Sequence, residues 1–241
     1  MERLGEIMLK IEFKKIKFFN ILLVSLIIPL LANAFGLINY LGNKETLSQQ
    51  WQSLWTQVSL FYFSFFYIPL IAIVIASLWA VEHKAGLKFI RLSPRKNMAF
   101  ILAKLVLAFI IISLCQFYFL GLFYLAGRFI AGFSTTNFSL FIYYIFLSIL
   151  LALPIIGIFE ALAIKTKSFG LIVLLSSLFT ILGFATAYKS LKIIGISFLA
   201  IESNNFRFIN VQDLGLLALF AIGEVALSLY LSNKFLNYES N

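Results

Sequence analysis

Long apolar runs alternate with short polar connections along the whole chain. Six of these runs reach the length of about 20 residues that a helix needs to cross the hydrocarbon core of a bilayer. We place them at residues 19–40, 60–81, 100–126, 138–164, 168–187 and 214–231. Because no water satisfies the backbone in hydrocarbon, each run is predicted to be α-helical. The pattern therefore predicts an all-α membrane protein, in which residues 19–241 form a single transmembrane domain.

Composition agrees with this class and leaves little room for catalysis. The chain is 62% hydrophobic and only 12% charged, whereas about a quarter of a soluble domain is charged. The lone Cys115 cannot form an intrachain disulfide, and the single His83 cannot supply a histidine-rich metal site. No phosphate-binding Gly-x-x-x-x-Gly-Lys-Ser/Thr loop is present. We predict that this chain holds no catalytic residue, cofactor or metal and is not an enzyme.

The distribution of Lys and Arg predicts the orientation of the spans. One side of the membrane would hold fourteen of the 19 basic residues, namely Arg3, Lys10, Lys14, Lys15, Lys17, Lys84, Lys88, Arg91, Arg95, Lys96, Lys104, Lys165, Lys167 and Lys234. The other side would hold Lys44, Arg128, Lys189, Lys192 and Arg207. Short cytoplasmic loops carry such an excess, so we predict a cytoplasmic N-terminus. The net charge of +9 then reflects topology, and a nucleic-acid partner is not expected.

Residues 1–18 have the pattern of an amphipathic helix. Apolar side chains recur at helical spacing at Leu4, Ile7, Met8, Ile11 and Phe18, and three lysines share the opposite face, Lys10, Lys14 and Lys17. Such a helix is predicted to lie in the membrane interface with its lysines towards lipid phosphates. The alternative is a plain positively charged flank of the first span.

The segment between the second and third spans carries a second helical pattern. Apolar and basic residues alternate there at Lys84, Leu87, Lys88, Ile90 and Arg91. We predict a short helix from Glu82 to Leu92, after which Ser93-Pro94 caps the start of the next helix. Apolar side chains on a charged cytoplasmic helix predict a docking surface. The alternative is an ordinary basic loop that only sets topology.

Residues 189–213 are too many for a tight turn, and the apolar stretch within them is too short to span a bilayer. We predict a half-inserted or re-entrant helix at the outer face, broken at Gly195. The alternative is a surface helix packed on the other spans.

Two carboxylates lie at or near membrane depth. Glu224 falls near the middle of the sixth span, and Glu160 lies near the cytoplasmic end of the fourth. Ionisable groups at such depth are costly, so both are candidate functional residues. For Glu160 the alternative is a local ion pair with Lys165 or Lys167.

Taken together, these segments resemble the ABC-2 type permeases, and within them the permease subunits of lantibiotic immunity transporters, which protect bacteriocin producers. The topological resemblance covers nearly the whole chain. Its sequence-specific part is a loose match over residues 51–105, carried by Glu82-His83-Lys84, Ser93-Pro94 and Ala103-Lys104.

The resemblance implies a working arrangement. A separate cytoplasmic ATPase dimer would bind ATP and Mg²⁺, and a second permease, identical or homologous, would complete the pore. The residues contacting the ATPase would form a coupling helix, Glu82, His83, Lys84, Leu87, Lys88, Ile90 and Arg91. The cargo would be an amphipathic antimicrobial peptide, taken from membrane lipid and expelled across the bacterial cytoplasmic membrane. The alternatives are an ABC-2 permease for a drug, lipid or polysaccharide, and a non-transporting membrane partner subunit.

Overall fold

A computed structural model describes residues 9, 11–85, 87, 90 and 97–240. The helices within them are α1 Phe18–Gly42, α2 Gln50–Lys84, α3 Asn97–Ile130, α4 Ser139–Thr166, α5 Phe169–Tyr188, α6 Gly195–Asn204 and α7 Val211–Ser240. All except α6 are long and apolar enough to cross a membrane. The predicted all-α protein with six spans is therefore confirmed.

Helix α2 begins at Gln50, well before the predicted start of the second span. Its first turns contain several polar residues, so their mean hydropathy does not mark them as part of a span. They are nevertheless amphipathic, because Trp51, Leu54, Trp55 and Val58 lie on one face at helical spacing and are buried. A π-helical turn at Tyr62–Phe66 joins this aromatic half to the apolar half that follows.

The helices form a bundle with α2 and α4 at its centre. In each of these two helices, 67% of the most apolar 18-residue stretch is buried, against 17% in α5 and 11% in α7. The peripheral helices expose large apolar side chains, among them Leu174 and Ile181 of α5 and Leu219 and Ile222 of α7. In water such a surface would aggregate, whereas in a bilayer it meets hydrocarbon.

Helices α1 and α2 cross at very short range at Gly36. A Cβ built on this glycine would overlap the backbone of Val58. Small residues allow this kind of backbone approach, which supplies the packing that holds membrane helices together. The position therefore requires glycine for reasons of space.

Helix α6 is buried among α2, α4 and α5. It starts at Gly195, and at 1.5 Å per residue it is about 15 Å long, half the thickness of a bilayer core. Its end is fixed by a hydrogen bond from Ser59 to Asn204 (3.1 Å) and by a two-bond ion pair between Glu202 and Arg207. The hydrogen bonds that the Arg207 guanidinium donates to the Glu202 carboxylate raise the pKa of that guanidinium. Because α6 is buried on all sides, the half-inserted arrangement predicted for this segment is favoured over a helix on the surface of the bundle.

The chain before α1 is described in part. Residues 11–15 are helical and a turn at 16–17 leads into α1, while residues 1–8 and 10 of the predicted interfacial helix lie outside the described residues. Lys14 and Lys17 are exposed, and Glu12 and Ile16 are buried against the bundle. We call the end of the bundle that receives residues 11–17 the N-terminal end; α6 lies at the opposite end.

Candidate functional site

The predicted coupling segment begins inside α2. Glu82, His83 and Lys84 form the last turn of that helix, and only Lys84 is exposed. Leu87 and Ile90 are buried against the core, so they do not present the exposed apolar surface that the pattern predicted. Lys88 and Arg91 lie outside the described residues. The role of this segment in coupling stays a prediction.

Glu82 belongs to a group of four charged side chains at the N-terminal end of the bundle. We call it the charge cluster; its members are Glu12, Lys15, Glu82 and Lys104. The Lys104 ammonium lies 2.8 Å from a Glu12 carboxylate oxygen and 3.2 Å from one of Glu82. Lys15 donates to Glu82 and lies 3.5 Å from Glu12. The cluster thus joins the N-terminal segment to α2 and α3.

The cluster is almost entirely removed from solvent. The side chains of Glu12, Glu82 and Lys104 are fully buried, and that of Lys15 is 17% exposed. Two carboxylates and two ammonium groups balance, so no net charge is enclosed. Lys104 also donates to the carbonyl of Leu78 (3.0 Å). Buried charges persist only when they are paired and hydrogen-bonded in this way.

Glu160 lies next to the charge cluster and is also fully buried. Its carboxylate accepts a hydrogen bond from the Trp79 indole (3.2 Å), and the Lys104 ammonium lies 5.3 Å from the centre of the same indole. Lys165 instead lies over the ring of Phe235. The hydrogen bond to Glu160 therefore comes from another helix, α2, and Lys165, one of the two nearby lysines named in the alternative, contacts Phe235 instead.

Glu224 lies away from the charge cluster, on α7. It is half-buried in a groove of about 230 Å³ between α4 and α7, which has Lys165 and Phe235 at its other end. The rest of the lining is almost wholly apolar. A carboxylate in such a groove suits a cationic or hydrogen-bonding group on an apolar molecule.

The pairing within the charge cluster was not predicted from the sequence, although the sequence contains one signal of it. Lys104 lies inside the third predicted span, where an ammonium group needs a partner. The distribution of Lys and Arg indicates topology but does not identify that partner. Glu12 and Lys15 gave no comparable signal, because the N-terminal segment reads as a surface helix.

The described residues contain no group of three His, Cys, Asp or Glu side chains that could hold a metal ion. Their arrangement, six apolar helices around a buried core with a paired charge cluster at one end, defines a multi-pass membrane protein.

A family model described as "ABC-2 family transporter protein" matches residues 8–183. The chain therefore belongs to the ABC-2 family and is a membrane-embedded transport subunit. The match includes the whole charge cluster and Glu160, and it ends before α6 and α7. Neither the curated proteins nor the solved structures gave a match.

Proposed function

We propose that this chain is the permease subunit of an ATP-driven exporter, and that a separate cytoplasmic ATPase dimer docks on the segment between α2 and α3. Membership of the ABC-2 family supports an ABC ATPase partner in general. The single observation that carries the proposal is the position of Glu82. It lies in the last turn of α2, where the predicted coupling segment begins, and it is ion-paired to both Lys15 and Lys104.

From this position Glu82 can transmit a movement of the docked ATPase to the rest of the bundle. A displacement of the docking segment acts first on Glu82, and through its ion pairs on α3 and on the N-terminal segment. Breaking any of these buried pairs is costly, so the three elements move together. ATP-driven closure of the ATPases would then shift the permease between two states that differ in how the bundle faces the membrane.

For the cargo we propose an amphipathic antimicrobial peptide, expelled from the membrane for self-protection. This finer assignment rests on the resemblance to lantibiotic immunity permeases and on the apolar character of the exposed helices. A second permease, identical or homologous, would complete the pore.

Purification of a tagged chain from its native cells in a mild detergent tests the ATPase partner. Mass spectrometry is expected to find a soluble protein with a phosphate-binding loop in stoichiometric amounts. A chain that purifies alone in several mild detergents, while remaining folded, would contradict the exporter proposal and favour a free-standing membrane protein.

Charge reversal tests the docking segment. The double substitution Lys88→Glu with Arg91→Glu is expected to uncouple ATP hydrolysis from transport. The ATPase would still hydrolyse ATP and the protein would remain in the membrane, but protection against the peptide would be lost. The matched control reverses Lys14 and Lys234, two exposed lysines of the N-terminal end outside the segment. If protection in the test variant equals that in the control, the segment acts only as a topology signal.

Glu224→Gln tests whether the half-buried carboxylate of α7 contacts the cargo. The substitution keeps the shape of the side chain and removes its charge, so protection is expected to fall several-fold at an unchanged protein level. Glu45→Gln, in an exposed connection, is the control. Wild-type protection by Glu224→Gln would end the proposal that this carboxylate contacts the cargo.

A further inference from the structure

A second groove lies between α1 and α2 at the N-terminal end of the bundle. Its volume is about 590 Å³, and Phe169 at the start of α5 closes one side. Three lysines converge on it, Lys15, Lys17 and Lys84. Among the residues that line it there is no acidic side chain. The groove is therefore a cationic opening, in which Lys17 and Lys84 add positive charge beside Lys15, whose own charge is shared with Glu82.

The polarity of the groove changes along its length. Lys17 directly precedes α1, and Lys84 is the last residue of α2. Further into the spans the lining is mostly apolar, at Ile21, Val24 and Ile73. Ile73 precedes Lys84 by three turns of helix, or about 16 Å. This distance is about half of the roughly 30 Å hydrocarbon core, so the groove extends through most of the apolar part of one leaflet.

We propose that this groove binds one anionic phospholipid. The phosphate lies among the three ammonium groups, and one acyl chain runs along the apolar part towards Ile73. Basic pockets between membrane helices recognise anionic headgroups in this way. The apolar depth distinguishes the site from one for a free phosphate ion, and the positive charges of Lys17 and Lys84 distinguish it from a groove for a neutral lipid.

The lipid would also touch the charge cluster. Lys15 lines the groove and is ion-paired to Glu82. A phosphate beside Lys15 adds negative charge to a neutral set of four ionised groups and fixes the N-terminal segment against α2. Occupancy of the groove is therefore expected to stabilise the arrangement on which the docking segment rests.

Native mass spectrometry of the purified full-length protein tests the site. Delipidated protein in mild detergent is titrated with phosphatidylglycerol, and separately with phosphatidylcholine and with glycerol 3-phosphate. One phosphatidylglycerol is expected to bind in preference to phosphatidylcholine. In the variant Lys17→Gln with Lys84→Gln, binding is expected to be about 30-fold weaker, because each lysine near an anionic headgroup contributes about 1 kcal/mol.

Two matched controls separate the groove from general effects of charge and bulk. Lys14→Gln with Lys234→Gln removes two exposed lysines from the same end and is expected to retain wild-type affinity. Ala80→Trp fills the groove without changing its charge and is expected to abolish binding, whereas Ala185→Trp on the exposed face of α5 is not.

Three results would overturn the proposal. Equal losses in the two lysine variants would mean that the lipid responds only to overall charge. Equal binding of phosphatidylcholine would remove the anionic requirement. Displacement of the lipid by glycerol 3-phosphate at the same concentration would identify a site for phosphate alone. None of these outcomes depends on whether the chain exports a peptide.

Discussion

Lys104→Met is expected to lower the free energy of unfolding by about 3–5 kcal/mol, the usual cost of removing one partner from a buried ion pair. Methionine matches the length of the lysine stem, so the loss comes from charge rather than from a cavity. Glu12 and Glu82 would then share the single ammonium of Lys15, and one negative charge would remain buried without compensation. Reversible unfolding of the purified protein in mixed detergent micelles measures the change.

Two further variants separate this explanation from general damage. Lys165→Met removes an exposed lysine of α4 and is expected to change stability little. Lys104→Met combined with Glu12→Gln leaves one carboxylate and one ammonium, so it is expected to recover much of the lost stability. If the double variant is no more stable than Lys104→Met alone, charge balance is not what holds the cluster together.

Gly36→Val is expected to separate α1 from α2 and to destabilise the protein by about 1–3 kcal/mol or more, the range for overpacking a well-packed interface. The added side chain would overlap the backbone of Val58, and a backbone in mid-helix cannot rotate away as a flexible side chain can. The expected readout is a lower yield of monodisperse protein and a lower unfolding temperature.

Gly121→Val provides the matched control. Gly121 is also a helical glycine, in α3, and a Cβ built there meets nothing within 4 Å. Both substitutions add the same side chain to an apolar helix, so their difference isolates the crossing. Equal destabilisation by the two would show that the close approach of α1 and α2 does not limit stability.

The fold could largely be predicted from the sequence, because the bilayer forces a simple rule on it. Any span must be a long apolar helix, and hydropathy alone finds such helices. The rule fails where a helix is buried by protein rather than by lipid. The first turns of α2 carry Gln50, Gln52 and Thr56 on their outer side, and only tertiary packing of Trp51 and Trp55 makes them part of the bundle.

The candidate site was less accessible to sequence reasoning. Glu82 was predicted as a residue of the coupling segment, but an exposed acid and an acid buried against Lys104 look the same in a sequence. Pairing between residues 92 positions apart, as for Glu12 and Lys104, depends on the packing of three elements. Glu160 illustrates the same limit, because its partner Trp79 comes from another helix.

The π-helical turn at Tyr62–Phe66 is a point at which α2 can accommodate a change of one residue in length. One residue of helix corresponds to a rotation of about 100°. A π-helical turn holds about one residue more than the α-helical turn it replaces, so a single residue could be removed there with the two halves of α2 still in phase. A deletion in the regular helix between this turn and Trp55 would instead rotate the half that begins at Gln50, and Trp51 and Trp55 would leave the core. Natural variation of one residue in length is therefore expected to fall at this turn rather than elsewhere in α2.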